Sequence, residues 1–141
     1  MPPDQELGLA TWDEVQQRVR SQFQLDADEP DTFTLTVPRQ AQGAREQRVT
    51  AYRYAAWDRE MIELRSAFGE LEEGRGAELP AELLAEGLRL PLGVVSVDGR
   101  FLVVVHKACL EHLSVEGVVF LLTRICLLAD TLEERTGYDR F

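Results

Sequence analysis

Residues 92–105 read LGVVSVDGRFLVVV, two β-branched apolar runs on either side of Asp98, Gly99 and Arg100. An Asp-Gly pair between apolar runs is typical of the tight turn of a β-hairpin. Both runs are apolar at almost every position, which indicates strands that are central in a sheet or covered on both faces. This stretch therefore predicts a buried β-hairpin.

A long apolar helix is predicted after this hairpin. Ser114 is a suitable N-cap, and the helical pattern continues to about residue 135. Apolar residues cover far more of this helix than the stripe of an ordinary surface helix. The excess predicts that a second copy of the chain covers part of it, since closed two-fold dimers are the commonest soluble oligomers. The alternative is burial of the whole helix inside the domain. The predicted dimer-interface residues are Val118, Leu121, Leu122, Ile125 and Leu128.

The chain before the hairpin predicts two further helices and an antiparallel meander. The first helix, residues 11–24, opens on a capping box between Thr11 and Glu14. The acidic run at residues 26–31 is predicted to end this helix and form a turn. A leucine-rich second helix is predicted at residues 79–90. Period-two alternation predicts the three strands of the meander at residues 32–37, 47–56 and 60–68.

The composition is that of one small acidic domain. The 141 residues include 25 acidic and 15 basic side chains, for a net charge of -10. This charge repels phosphate backbones, so we expect no nucleic-acid partner. No apolar run reaches the roughly 18 residues that cross a bilayer, and residues 1–9 do not resemble a signal peptide, so we expect a cytoplasmic protein without a membrane partner. We predict an α+β domain over residues 11–136 between a mobile tail at 1–10 and a C-terminal tail at 137–141.

Potential metal chemistry centres on His106, Cys109 and His112, with Glu111 as the candidate fourth ligand. If this segment were helical, the spacings of three would bring both imidazoles and the thiolate near one face, where they could ligate zinc. The established zinc spacings, a glycine-rich phosphate loop and an oriented nucleophile are all absent from the sequence. We therefore predict a protein that is not an enzyme, with no catalytic, cofactor-binding or metal-binding residues. A zinc site at these three positions is the alternative.

Aromatic side chains are the candidates for contacts with a partner protein. Tyr52 and Tyr54 share one face of a predicted strand, Val49 and Ala51 occupy the other, and Trp57 lies in the following turn. Exposed aromatic residues are enriched among binding hot spots. The predicted partner-binding residues are Tyr52, Tyr54, Trp57 and Phe33.

The order helix, three strands, helix, two strands, long helix resembles the class I type III secretion chaperones, or Tir-chaperone family, and their YbjN-like relatives. The resemblance covers residues 11–135. In amino-acid sequence it is closest at LVVV, residues 102–105, and at the Leu121-Leu122 pair. It implies an acidic homodimer, joined through the long helix and part of the sheet, that holds an extended stretch of another protein without nucleotide hydrolysis. It also implies a second possibility, a YbjN-like regulatory or stress-response adaptor that is not tied to secretion.

Overall fold

A six-stranded antiparallel sheet carries two α-helices on one face in the computed structural model, which describes residues 10–38, 46–70, 85 and 87–136. The predicted α+β class with an antiparallel sheet is confirmed. The strand order is β1-β2-β3-β4-β6-β5. The elements are α1 (Trp12–Gln22), β1 (Leu25–Glu29), β2 (Thr32–Pro38), β3 (Glu46–Ala56), β4 (Arg59–Glu70), β5 (Val94–Asp98), β6 (Phe101–Cys109), a 3-10 turn (Leu110–His112) and α2 (Val115–Thr136).

The predicted β5–β6 hairpin is confirmed, with Asp98 paired to Phe101 across a two-residue turn. Gly99 has a φ of +61°, the left-handed conformation that glycine adopts without strain. Of the two hairpin strands, only β6 is central in the sheet, where it lies between β4 and β5. β5 lies at the end of the strand order, and the side chain of Val94 is 59% exposed. The prediction that both strands are central or covered is therefore correct for β6 and wrong for this part of β5.

Residues 25–29 form a strand where the sequence predicted a turn, and the turn itself is confined to Pro30 and Asp31. Asp28 explains the difference, since its carboxylate accepts hydrogen bonds from Gln16 at 2.7 Å and from Arg20 at 2.7 Å on α1. These contacts and the pairing with β2 override the low strand propensity of acidic residues. The helix is therefore followed by four consecutive meander strands instead of three.

Several predictions fall outside the described residues. These are the tails at 1–9 and 137–141 and most of the predicted helix at 79–90, of which residues 85 and 87–89 are helical. Ala10 is described, and it does not belong to a mobile tail. Its side chain is buried, and its N–H donates to the carbonyl of Leu113 at 2.9 Å. The ordered domain therefore includes this residue.

The core lies between the helices and one face of the sheet. Trp12 on α1 packs against Phe33 on β2, with ring centroids 5.2 Å apart. On α2, Leu122 and Ile125 are completely buried. No helix in the described part of the chain is long and apolar enough to span a membrane. The core-facing strand residues include Phe33, Leu35, Val49, Ala51, Ile62, Leu64, Leu102 and Val104.

Three carboxylates near the surface each join two different elements of the fold. The Arg20 guanidinium hydrogen-bonds to Asp28 and holds the pKa of that carboxyl below its ordinary value. Arg59, at the start of β4, lowers the pKa of Glu111 in the 3-10 turn in the same way. The pKa of Glu116 is lowered by its own backbone N–H at the start of α2 and then by Arg18 on α1.

Acid is therefore expected to weaken the fold. A carboxyl group whose pKa is lower in the folded state stabilises that state above its unfolded pKa, and this contribution is lost as the pH falls through the folded pKa. The unfolded reference pKa values are 3.8 for Asp and 4.5 for Glu. At pH values above these, the three groups should make the urea midpoint independent of pH. At pH values below these, they should make the midpoint decrease. The variant Arg20→Met should show a shallower acid dependence, and an unchanged midpoint from neutral pH to pH 3 would contradict the prediction.

Candidate functional site

The sheet face opposite the helices carries polar side chains in register across neighbouring strands. Thr34 on β2 and Thr50 on β3 are paired residues, and their hydroxyl oxygens lie 2.8 Å apart in a hydrogen bond. Beside them, the hydroxyl of Thr36 donates to the carboxylate of Asp26. This is the alternation expected of an antiparallel sheet with one face on the core and one toward solvent. We call the face opposite the helices the outer face.

Arg65 lies near the middle of the outer face and organises its charges. Its guanidinium is 2.6 Å from the carboxylate of Glu63 and 2.5 Å from that of Asp98, and it lies over the ring of Tyr52 at 5.3 Å. Partial burial opposes the charged form, but the two carboxylates outweigh it and raise the pKa of Arg65. The residue is therefore a fixed cation that holds β4, β5 and the Tyr52 ring together.

A depression of about 560 Å³ lies beside this arginine on the outer face. Val103 contributes apolar surface to it and is almost fully buried, while Phe101 at its border is 40% exposed. Thr34, Thr50 and Arg65 contribute polar lining. The volume is within the usual range of small-ligand sites. The combination of apolar floor and polar wall suits an apolar side chain that enters from a polar backbone, as in a bound peptide.

The structure distributes the predicted partner-binding residues over three environments. Tyr52 and Tyr54 lie on the outer face, and Tyr52 is 36% exposed. Trp57 lies in the β3–β4 turn and is 88% exposed. Phe33 is completely buried, because its position in β2 faces the helices, where it packs on Trp12. Its prediction as a surface contact is wrong, and the outer face and the turn remain as candidates.

Four of the five predicted dimer-interface residues lie in the core of the protomer. Leu121 is 8% exposed and the other three are fully buried, while the fifth residue, Leu128, is half-buried. The alternative of burial within the domain is therefore correct for these four residues, because they form the side of α2 that packs on the sheet. The four buried residues are Val118, Leu121, Leu122 and Ile125.

The outward side of α2 is also apolar, and the interface prediction missed it. Phe120 is 52% exposed and Leu127 is 44% exposed. They are seven residues apart, which is two helical turns, so they share one stripe. The guanidinium of Arg124 lies between them in sequence and over the Phe120 ring, at 5.2 Å. The spacing of seven within the apolar run is the signal that could have identified this stripe.

The alternative zinc site is not assembled in the structure. The segment is a strand through Cys109, so the helical geometry that the site required is absent. His106 is paired with the core residue Leu64, while Cys109 is paired with Met61 on the outer face. Burial lowers the pKa of His106, which favours a neutral imidazole. Among the described residues, no group of three or more His, Cys, Asp or Glu side chains could hold a metal ion.

No protein-family model matches the chain, and no curated protein matches it either. The functional conclusion therefore depends on the surfaces of this chain, and the secretion-chaperone resemblance enters as a proposal. In the described part of the chain, two surfaces each carry more than one large exposed apolar side chain, the outward stripe of α2 and the outer face with its adjoining β3–β4 turn, while Leu88 is exposed apart from both.

Proposed function

We propose that this protein is a nonenzymatic homodimer of the type III secretion chaperone-like kind, which holds a segment of a partner protein. The observation that carries the proposal is the double-sided apolar character of α2. Its inner side fills the protomer core, and its outer side still exposes Phe120 and Leu127. Large apolar residues that recur on one exposed helical stripe are suited to a protein interface. The occupant proposed for this stripe is a second copy of the chain.

The stripe is self-complementary under two-fold symmetry. Phe120 and Leu127 lie at equal distances in sequence from the Thr123–Arg124 peptide bond. If two α2 helices cross antiparallel at that point, Phe120 of one protomer faces Leu127 of the partner subunit, and the same contact forms twice. Arg124 already covers part of the Phe120 ring, so its charge can remain at the border of the interface.

The outer face is the proposed site for the partner segment. Its depression offers an apolar floor at Val103, Phe101 exposes aromatic surface at the border, and the Tyr52 ring packs under Arg65, which lines the depression. A holding protein needs no chemical step, since it acts by binding an unfolded or extended chain in preference to a folded one. The net charge of -10 keeps molecules with exposed apolar patches apart in solution.

Sedimentation equilibrium tests the dimer. At micromolar concentration the mass should be twice the 16.0 kDa of one chain. The two-fold pairing predicts a single monomer–dimer equilibrium without larger species, because an isologous interface closes on itself. A mass of 16.0 kDa throughout the concentration range would contradict the proposal.

A further inference from the structure

The β3–β4 turn contains a residue that is costly for the fold. Trp57 and Asp58 have φ angles of 52° and 56°, so both central positions of the turn are left-handed. Such a turn favours Asn-Gly, and a bulky side chain in this conformation is strained. Packing of the side chain does not compensate for this backbone strain, because Trp57 is 88% exposed. An exposed and strained aromatic residue is a reason to consider a binding role.

The tip of this hairpin, residues 57–58, is held in place by one ion pair within the hairpin and by contacts to two other turns. Arg53 and Glu60 form a cross-strand ion pair at 2.6 Å, without the geometry of a hydrogen bond. Arg59 binds Glu111 of the 3-10 turn at 2.9 Å. The N–H of Arg53 donates to the carbonyl of Asp31 in the β1–β2 turn at 2.9 Å. The indole of Trp57 is therefore presented from a fixed backbone, which lowers the ordering cost of binding.

A shallow recess of about 620 Å³ adjoins the tip and has a surplus of negative charge. Two arginines and four carboxylates line it. The arginines are committed to Glu60 and Glu111. Asp31 and Asp58 have no ion pair within the described part of the chain and are exposed. The local potential therefore favours a cation and repels a carboxylate or phosphate.

We infer that the tip docks a positively charged side chain of the partner, a lysine or arginine that stacks on the Trp57 indole and enters the recess. The inference rests on the proposed function, since it names the chemistry of the held segment. Tryptophan is the most favourable ring for a cation above its face. Asp31 and Asp58 supply the opposite charge in the recess that adjoins the turn. An apolar neighbour in the partner segment can pack on the indole edge, so the preferred segment alternates basic and apolar residues.

The chain contains its own reporter for this contact. It has two tryptophans, and Trp12 is 1% exposed whereas Trp57 is 88% exposed. The probe is a short synthetic peptide of alternating lysine and leucine without aromatic residues. Its binding should shift the Trp57 emission to the blue and protect it from acrylamide. A matched glutamate–leucine peptide should bind at least about tenfold more weakly, because it loses the cation–π contact and the attraction to Asp31 and Asp58.

The decisive variant combines Trp57→Asn with Asp58→Gly. It introduces the residues that the turn prefers, so the melting temperature should rise by about 3–6 °C, while lysine–leucine peptide affinity measured by calorimetry should fall about tenfold. Leu88→Ser removes an exposed apolar side chain that belongs to neither proposed binding surface, and it should leave the affinity for this peptide at the wild-type value. Asp58→Gly alone keeps the indole and should lose less affinity than the double variant.

Equal peptide affinity for the wild type and the double variant would overturn the inference, as would a lower melting temperature. Its failure can be separated from that of the proposed function. If both the lysine and glutamate peptides bind without dependence on Trp57, the tip is not the docking point, but a peptide-holding protein remains. If neither peptide binds and the protein sediments as a monomer, both proposals fail.

Discussion

Replacing Trp12 with alanine is expected to lower the free energy of unfolding by about 4 kcal/mol. The indole is 1% exposed, packs on Phe33 at 5.2 Å and donates its N–H to the carbonyl of Pro30 at 2.8 Å. The substitution leaves a cavity between α1 and the sheet and an unpaired carbonyl in the β1–β2 turn. Urea unfolding followed by circular dichroism measures the loss.

Two matched variants separate the causes of this loss. Trp12→Phe keeps an aromatic ring in the core but removes the donor to Pro30, so it should cost about 1–2 kcal/mol. Trp57→Phe makes the same chemical change at an exposed position and should change stability by less than about 0.5 kcal/mol. A loss below about 1 kcal/mol for Trp12→Ala would show that α1 is not held to the sheet by this side chain.

The combined substitution of Phe120→Asp and Leu127→Asp is expected to dissociate the proposed dimer, raising its dissociation constant at least about a hundredfold. Two-fold symmetry brings each new carboxylate into the interface twice, so four charges lose their hydration or repel one another. Both wild-type side chains are about half exposed in the protomer. The protomer should therefore keep its fold, and analytical ultracentrifugation should give a folded species with the mass of one chain.

Gln17→Asp, at an exposed position on α1, is the control for added negative charge and should leave the dimer mass unchanged. Val118→Asp introduces the same charge on the buried side of α2 and should instead unfold the chain. A double variant that still sediments as a dimer would exclude the outward stripe as the interface.

Local sequence patterns predicted much of the fold where the conformation depends on residues that are adjacent in the chain. The Asp98-Gly99 turn is an example, since its backbone conformation depends on a glycine and its strands on adjacent apolar runs. The strand at Leu25–Glu29 could not be predicted in this way. Its acidic residues disfavour a strand locally, and the contacts of Asp28 with α1 exist only after the chain has folded.

The candidate site was less predictable because binding surfaces depend on which side of an element faces the core. An apolar residue such as Phe33 has the same pattern whether it forms a core or a contact, and packing against Trp12 decides the question. On α2 both sides are apolar, so the sequence did not distinguish Leu122 from Phe120. The exposure of Trp57 was easier to predict, since residues in a hairpin turn have few neighbours, and its side chain is 88% exposed.

The strand order also has a consequence for how the chain reaches this structure. Sheet neighbours are close in sequence in every pair except β4 and β6, where Glu70 pairs with Phe101. The meander and the β5–β6 hairpin can each close locally, whereas joining them requires a much longer loop to close. Helix α2 contacts β3, β4 and β6 and so spans that junction. The last helix of the chain is therefore the element that makes the two locally folded parts of the sheet one cooperative unit.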